Sequence, residues 1–113
     1  MAKKATAKKA TAKKVAVKGL LRPVVPIRIS AEGKVLDPSV TVRVGQDVIW
    51  VAQNVGGPWT ITFVVSPFSQ SVYTVPRGGI AGTTGGAIKR GTYPYTVRDE
   101  IGRITDEAEV VVE

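Results

Sequence analysis

From residue 25 onward the apolar positions recur every second residue in short runs, the spacing of strands that bury one face. VPIRIS (25–30) is the first run. VTVRV (40–44) alternates, with Val40, Val42 and Val44 on one side and Thr41 and Arg43 on the other. After the turn GQD comes VIWVAQ (48–53), and then the turn NVGGP. WTITFVV (59–65) sets Ile61, Phe63 and Val65 against Thr60, Thr62 and Val64, and SVYTV (71–75) follows it. The stretch PRGGIAGTTGGAIKRG (76–91) reads as a flexible connection between sheets and TYPYTV (92–97) as a strand. RDEIGRITDE (98–107) reads as a polar loop, and AEVVVE (108–113) closes the series.

Seven or eight short strands, punctuated by turn residues and accompanied by no convincing amphipathic helix, predict an all-β antiparallel Greek-key sandwich. About 90 residues suffice for one modest core. Its expected bulky fillers are Trp50, Phe63, Tyr93 and Tyr95, the two tyrosines projecting to one face of their strand. The expected organisation is a tail over residues 1–18, a linker over 19–26 that runs into the first strand, and the sandwich over 27–113.

Charge divides the chain the same way. The whole carries a net +7. Residues 1–22 hold Lys3, Lys4, Lys8, Lys9, Lys13, Lys14, Lys18 and Arg22 and no acid. Residues 23–113 hold eight basic and nine acidic residues, a net of −1. The basic segment is written as a repeat, AKKATAKKATAKK. Alanine and lysine favour helix, yet a five-residue period spreads the lysines around the whole helical circumference. It also places Lys4 with Lys8, Lys9 with Lys13 and Lys14 with Lys18 as like-charge i,i+4 pairs, each costing about 0.2–0.5 kcal/mol in a free helix. The segment is therefore expected to be disordered alone and to become helical only when a polyanion neutralises it.

The chain has neither cysteine nor histidine. That excludes disulfides, thiolate metal sites and the commonest acid–base catalyst and metal ligand. No run reaches the ~18 apolar residues of a spanning helix. VAVKGLLRPVVPI is broken by Lys18, Arg22, Pro23 and Pro26, which does not suit a signal peptide. A cytoplasmic location is the expectation that follows, with nucleoid association as a narrower reading within it.

VRVGQDVIWVAQNVGGPWTITF resembles the cupredoxin pattern, in which VxxGDTVxWxN precedes a histidine flanked by glycine or proline and then TxTF. IKRGTYPYTV resembles that family's FxxPGTYxYxC, and AEVVVE its closing strand. The resemblance covers residues 27–113 and implies the plastocyanin-like or azurin-like sandwich. In that family two histidines, a cysteine and usually a methionine hold type 1 copper. The resemblance carries the first histidine to Trp59, the cysteine to Val97, the second histidine near Glu100 and the methionine near Thr105. All four are replaced, so it implies the fold without metal or cofactor, and without copper electron transfer. The N-terminal repeat is similar in composition to the Lys/Ala-rich tails of linker histones and bacterial histone-like proteins.

Other constellations are weaker. Asp99, Glu100, Asp106 and Glu107 invite a hard-cation site, but they read better as a solvated loop countered by Arg98 and Arg103. The glycine-rich stretch lacks a lysine directly after its last glycine pair, since Gly86 is followed by Ala87 and Ile88, so it is not a phosphate loop. Trp59 has two readings, an exposed anchor for a partner or a stacked base, and a plug in the volume a metal site would take; the plug is favoured. Arg77, Lys89 and Arg90 lie near one another in sequence and suggest a second anion-binding patch. No catalytic motif is present, and an enzyme is not expected. The leading expectation is a metal-free binding module whose basic tail binds nucleic acid or another polyanion non-specifically. The alternative is an assembly module that meets a protein partner or itself through the sandwich, with the tail as tether.

Overall fold

The computed structural model describes residues 24–113, and all of its regular structure is β. The lysine-rich segment, Lys3 to Arg22, lies outside the described residues. Eight strands follow in order: β1 (Val25–Ile29), β2 (Ser39–Val42), β3 (Val48–Ala52), β4 (Trp59–Phe63), β5 (Val72–Val75), β6 (Ile80–Gly82), β7 (Gly91–Arg98) and β8 (Ile104–Val112). They form a three-stranded sheet ordered β1-β3-β6 and a five-stranded sheet ordered β2-β8-β7-β4-β5. Both sheets are mixed. β1 runs parallel to β3 and β2 parallel to β8, which corrects the expectation of a purely antiparallel sandwich.

The period-two pattern holds where both faces have work to do. β3 and β4 alternate buried and half-buried residues along their length, so Val48, Trp50 and Ala52 face Trp59, Ile61 and Phe63 across the core. Trp50 is fully buried, its ring 5.2 Å from Tyr73, 5.7 Å from Tyr95 and 6.1 Å from Phe63. All four expected fillers are buried, and Tyr93 and Tyr95 share the inner face of β7. Phe68 and Tyr73 join them from the β4–β5 connection and β5.

Four expectations change. Residues 104–107, read as loop, are the start of β8, because Thr96 and Val97 need antiparallel partners and find Glu107 and Asp106. The glycine-rich connection contains β6, which pairs with Ile49 to Val51 of β3. Val44 and Val65 are not core residues, for the chain leaves the sheet after Val42 and after Phe63 and turns both side chains outward. The boundary placed at residue 27 falls inside β1, whose pairing begins at Val25 opposite Val48.

At the chain-entry end, the Asp47 carboxylate closes the sandwich. It accepts from Thr83 Oγ1 at 2.6 Å and from the Gly86 N–H at 2.9 Å. Gly86 has a φ of 79°, and a Cβ on it would collide with the Gly45 backbone. A glycine is required there by both conformation and space.

The buried tyrosine gives the core an alkaline limit. The Tyr95 hydroxyl is buried without a hydrogen-bond partner, and desolvation pushes its pKa up to about 12. The Trp50 indole N–H opposes that rise without meeting hydrogen-bond geometry. A raised folded-state value means that the stabilisation is complete below pH ~10, the unfolded value, and is lost as pH climbs towards 12. The loss amounts to about 2–3 kcal/mol by the top of that window. Tyr95→Phe is expected to stay within about 1 kcal/mol of the parent at pH 7 and to remove most of the extra loss. Urea unfolding at pH 7, 10 and 11.5 checks this; a variant as alkali-labile as its parent would assign the loss elsewhere.

Candidate functional site

The positions that the resemblance assigned to copper ligands come together at one end of the sandwich. β4 starts there with Trp59, and β7 ends there, Arg98 lying opposite Thr60. Val97, the residue before Arg98, points into the core and is fully buried. β8 begins beside it, and Thr105 Oγ1 donates to the Gly33 carbonyl at 2.8 Å, with the Val97 carbonyl at 3.3 Å. Gly33 completes the group. A Cβ on it would stand 2.5 Å from Thr105 Oγ1 and 2.9 Å from the Trp59 ring. Trp59, Val97, Thr105 and Gly33 thus fill this end with carbon and one closed hydroxyl bond.

Trp59 is only 6% exposed, which fits the plug reading. Its indole N–H is buried and finds no acceptor among the described residues. In front of it lies a cleft of about 190 Å³, open to solvent, lined by Gly57, Pro58, Trp59, Asp99, Glu100, Ile101 and Arg103.

The carboxylates around this cleft are already engaged. Asp99 Oδ1 accepts from the N–H groups of Ile101 and Arg103, and its Oδ2 accepts from Arg103 Nε at 3.0 Å. Those bonds hold the Asp99 carboxyl below its ordinary range against the opposing effect of desolvation. Glu100 faces Arg77 at 3.7 Å, and Arg77 also donates to the Val55 carbonyl. Asp106 accepts from the N–H groups of Val35 and Glu107. Each acid shapes its own turn or strand end, and among the described residues no three of the His, Cys, Asp and Glu side chains converge on a metal-sized site. Of the solvated-loop reading, the pairing of Asp99 with Arg103 holds, while Asp106 and Glu107 lie in β8 and Arg98 donates to the Gly102 carbonyl instead of to an acid.

The donor set does not fit type 1 copper. Val97 has no donor atom, the indole nitrogen of Trp59 carries a proton in place of a lone pair, and the Thr105 hydroxyl is committed to Gly33.

The proposed second anion patch is divided. Arg77 belongs to the Trp59 end, where a Cβ on Gly57 would lie 3.3 Å from its Cα. Lys89 and Arg90 precede β7 at the opposite end, roughly 20 Å away along that strand. They sit instead beside Arg43. Val44 bridges to Ala87, and the Gly45 N–H donates to the Ala87 carbonyl at 2.8 Å. Adjacency in sequence did not reveal this grouping. The signal that finds it is the pairing of the GQD turn with the last glycine pair, which is a tertiary contact.

No protein-family model matches the chain, and no curated protein matches it either. Solved structures do. A reduced Cu(I) form of an amicyanin variant at pH 4 is 21% identical, with a TM-score of 0.61 over 83% of this chain and 86% of that one. A second Cu(I) amicyanin variant is 20% identical, with a TM-score of 0.60 over 84% and 88%. An oxidised variant is 22% identical, at 0.60 over 80% and 82%. At these identities the likeness establishes architecture alone. The chain from Val24 onward has a cupredoxin-like β-sandwich fold.

Proposed function

We propose that this protein is a non-enzymatic binding module that attaches to nucleic acid or a related polyanion through its N-terminal segment, with the metal-free sandwich as the attached body. One observation carries the reading: eight cations and no acid in residues 1–22, against a net of −1 in the remaining chain. Lysines spaced through a repeat without an apolar stripe have little to pack against, and they suit phosphate neutralisation with release of counterions. Such contacts give affinity and register-free attachment but no base preference. The replaced ligand set supports a body without redox chemistry.

If six to eight of these cations engage duplex DNA, log K falls against log salt with a slope of about −5 to −7 from this segment. Replacing Lys3, Lys4, Lys8, Lys9, Lys13 and Lys14 with glutamine in the full chain is expected to make the slope shallower by about 5. It is also expected to weaken binding at least ~30-fold near 0.1 M salt, since a slope lost by about 5 separates the two affinities by that factor between ~0.1 and ~0.2 M alone. Fluorescence anisotropy on a labelled 24-bp duplex, titrated with salt, measures both. An unchanged slope in the six-lysine variant removes this reading.

A further inference from the structure

The sandwich carries eight basic residues, and the structure separates them into two classes. Five are held. Arg28 forms a two-pronged pair with Asp37, with both contacts at 2.9 Å, and Arg103 pairs with Asp99. Arg77 pairs with Glu100, Lys34 donates to the Thr105 carbonyl at 3.0 Å, and Arg98 donates to the Gly102 carbonyl at 3.0 Å. The remaining three, Arg43, Lys89 and Arg90, are exposed, and their side chains form no ion pair or hydrogen bond among the described residues.

These three occupy one end of the fold. Arg43 follows Val42, whose partner is Val112 of β8, and Val112 is in turn opposite Gly91, the residue after Arg90. The bridge from Val44 to Ala87 brings the Arg43 turn against the segment that leads into Lys89. Two acids share this end. Asp47 is committed to Thr83 and Gly86, and Glu113, whose N–H donates to the Val42 carbonyl, lies between the Arg43 and Arg90 positions without pairing to either side chain.

The same end receives the basic segment. The Val25 N–H donates to the Asp47 carbonyl at 3.1 Å, so the chain enters the sandwich beside the residue that also binds Gly86. The three unpaired cations of the body thus lie at the end where the described chain begins, at Val24.

We propose that Arg43, Lys89 and Arg90 form a phosphodiester-binding surface on the folded body, which seats the sandwich on a nucleic-acid backbone by its chain-entry end. This rests on the reading of the N-terminal segment as a polyanion binder and extends it to the folded domain. Phosphate contact is favoured by cations whose side chains are free to reorient, and among the described residues Arg43, Lys89 and Arg90 are the three basic side chains with no hydrogen-bond or ion-pair partner. At the Trp59 end every basic side chain is held, Arg77 and Arg103 by carboxylates and Lys34 and Arg98 by backbone carbonyls.

The experiment compares full-length variants on the labelled 24-bp duplex across 50–300 mM salt. R43Q/K89Q/R90Q is expected to make the log K–log salt slope shallower by about 2–3, each phosphate contact contributing about 0.9. The same decrement is expected in the six-lysine glutamine background. K34Q/R77Q/R103Q removes equal charge from the held cations and is expected to change the slope by less than about 1. Circular dichroism and thermal midpoints confirm that each variant is folded. If the slope is unchanged in R43Q/K89Q/R90Q, or if K34Q/R77Q/R103Q matches its effect, the surface is overturned. The reading of the N-terminal segment stands or falls separately, on the six-lysine variant in the native body.

Discussion

Trp59→Ala is expected to lower the unfolding free energy by about 3–4 kcal/mol, while leaving the affinity for duplex DNA unchanged. The residue is 6% exposed, and its ring packs against Gly33 and Gly57 at the end where the two sheets would otherwise part. Truncating a buried Trp costs about 3–5 kcal/mol through lost transfer energy and the space left behind. The lower part of that range applies, because the vacated volume opens onto the solvent-accessible cleft of Gly57, Pro58, Glu100 and Ile101, and water can enter it. Trp59→Phe keeps most of the packing and deletes the unpaired indole N–H, so it is expected to cost about 1 kcal/mol or less. Urea denaturation at pH 7 gives both numbers. A Trp59→Ala loss under about 1 kcal/mol would show that the side chain is not a structural plug. Loss of DNA binding in a folded Trp59→Ala protein would make it the exposed-type anchor after all.

The plug bears on how this fold is to be read from its sequence. The period-two runs, the turn residues and the four aromatic fillers located the sandwich, because each reports a local constraint: one face of Val48–Ala52 or Trp59–Phe63 must be apolar whatever the partner strand. Parallel pairing of β1 with β3 and of β2 with β8 was not legible, since a strand's alternation is the same in either direction. β6 was hidden for a related reason. Ile80–Gly82 is three residues long and half glycine-flanked, and its strand character comes from the edge that β3 offers it. The run WTITFVV continued too far, because Val64 and Val65 obey the apolar pattern while standing in solvent past the last ladder bond.

The candidate sites divided along the same line. Trp59, Val97 and Thr105 were found by position within quoted motifs, and the fold does unite them; Glu100 lies at the rim of the cleft, turned to Arg77. The patch of Arg77, Lys89 and Arg90 was grouped by proximity in sequence, which in a sandwich is a poor guide. Residues twelve apart here sit at opposite ends of an eight-residue strand, and Arg43, forty-six positions from Lys89, is the true neighbour. The charge partition needed no structure, but which body cations remain unpaired did.

Gly33→Ala is expected to cost about 2–4 kcal/mol, a large penalty for one methyl group on a loop. Two causes act together. Gly33 has a φ of 85°, where an L-residue with a Cβ is strained by about 1 kcal/mol or more. The added methyl would also meet Thr105 Oγ1 at 2.5 Å, Thr105 Cβ at 2.7 Å and the Trp59 ring at 2.9 Å, all inside contact distance. Relief requires Thr105 to swing away, which breaks its 2.8 Å bond to the Gly33 carbonyl, or Trp59 to retreat into the cleft. The two causes separate in a double-mutant cycle. In a Trp59→Ala background the ring is gone and the methyl has somewhere to go, so Gly33→Ala is expected to cost about 1 kcal/mol less than in the parent. The residual is the backbone strain and the Thr105 clash, and Thr105→Ser, which keeps the hydroxyl and removes a methyl, is expected to leave most of it in place. Strict additivity between Gly33→Ala and Trp59→Ala, within the ~0.3–0.5 kcal/mol of independent sites, would mean that the two residues do not share the packing that closes this end of the sandwich.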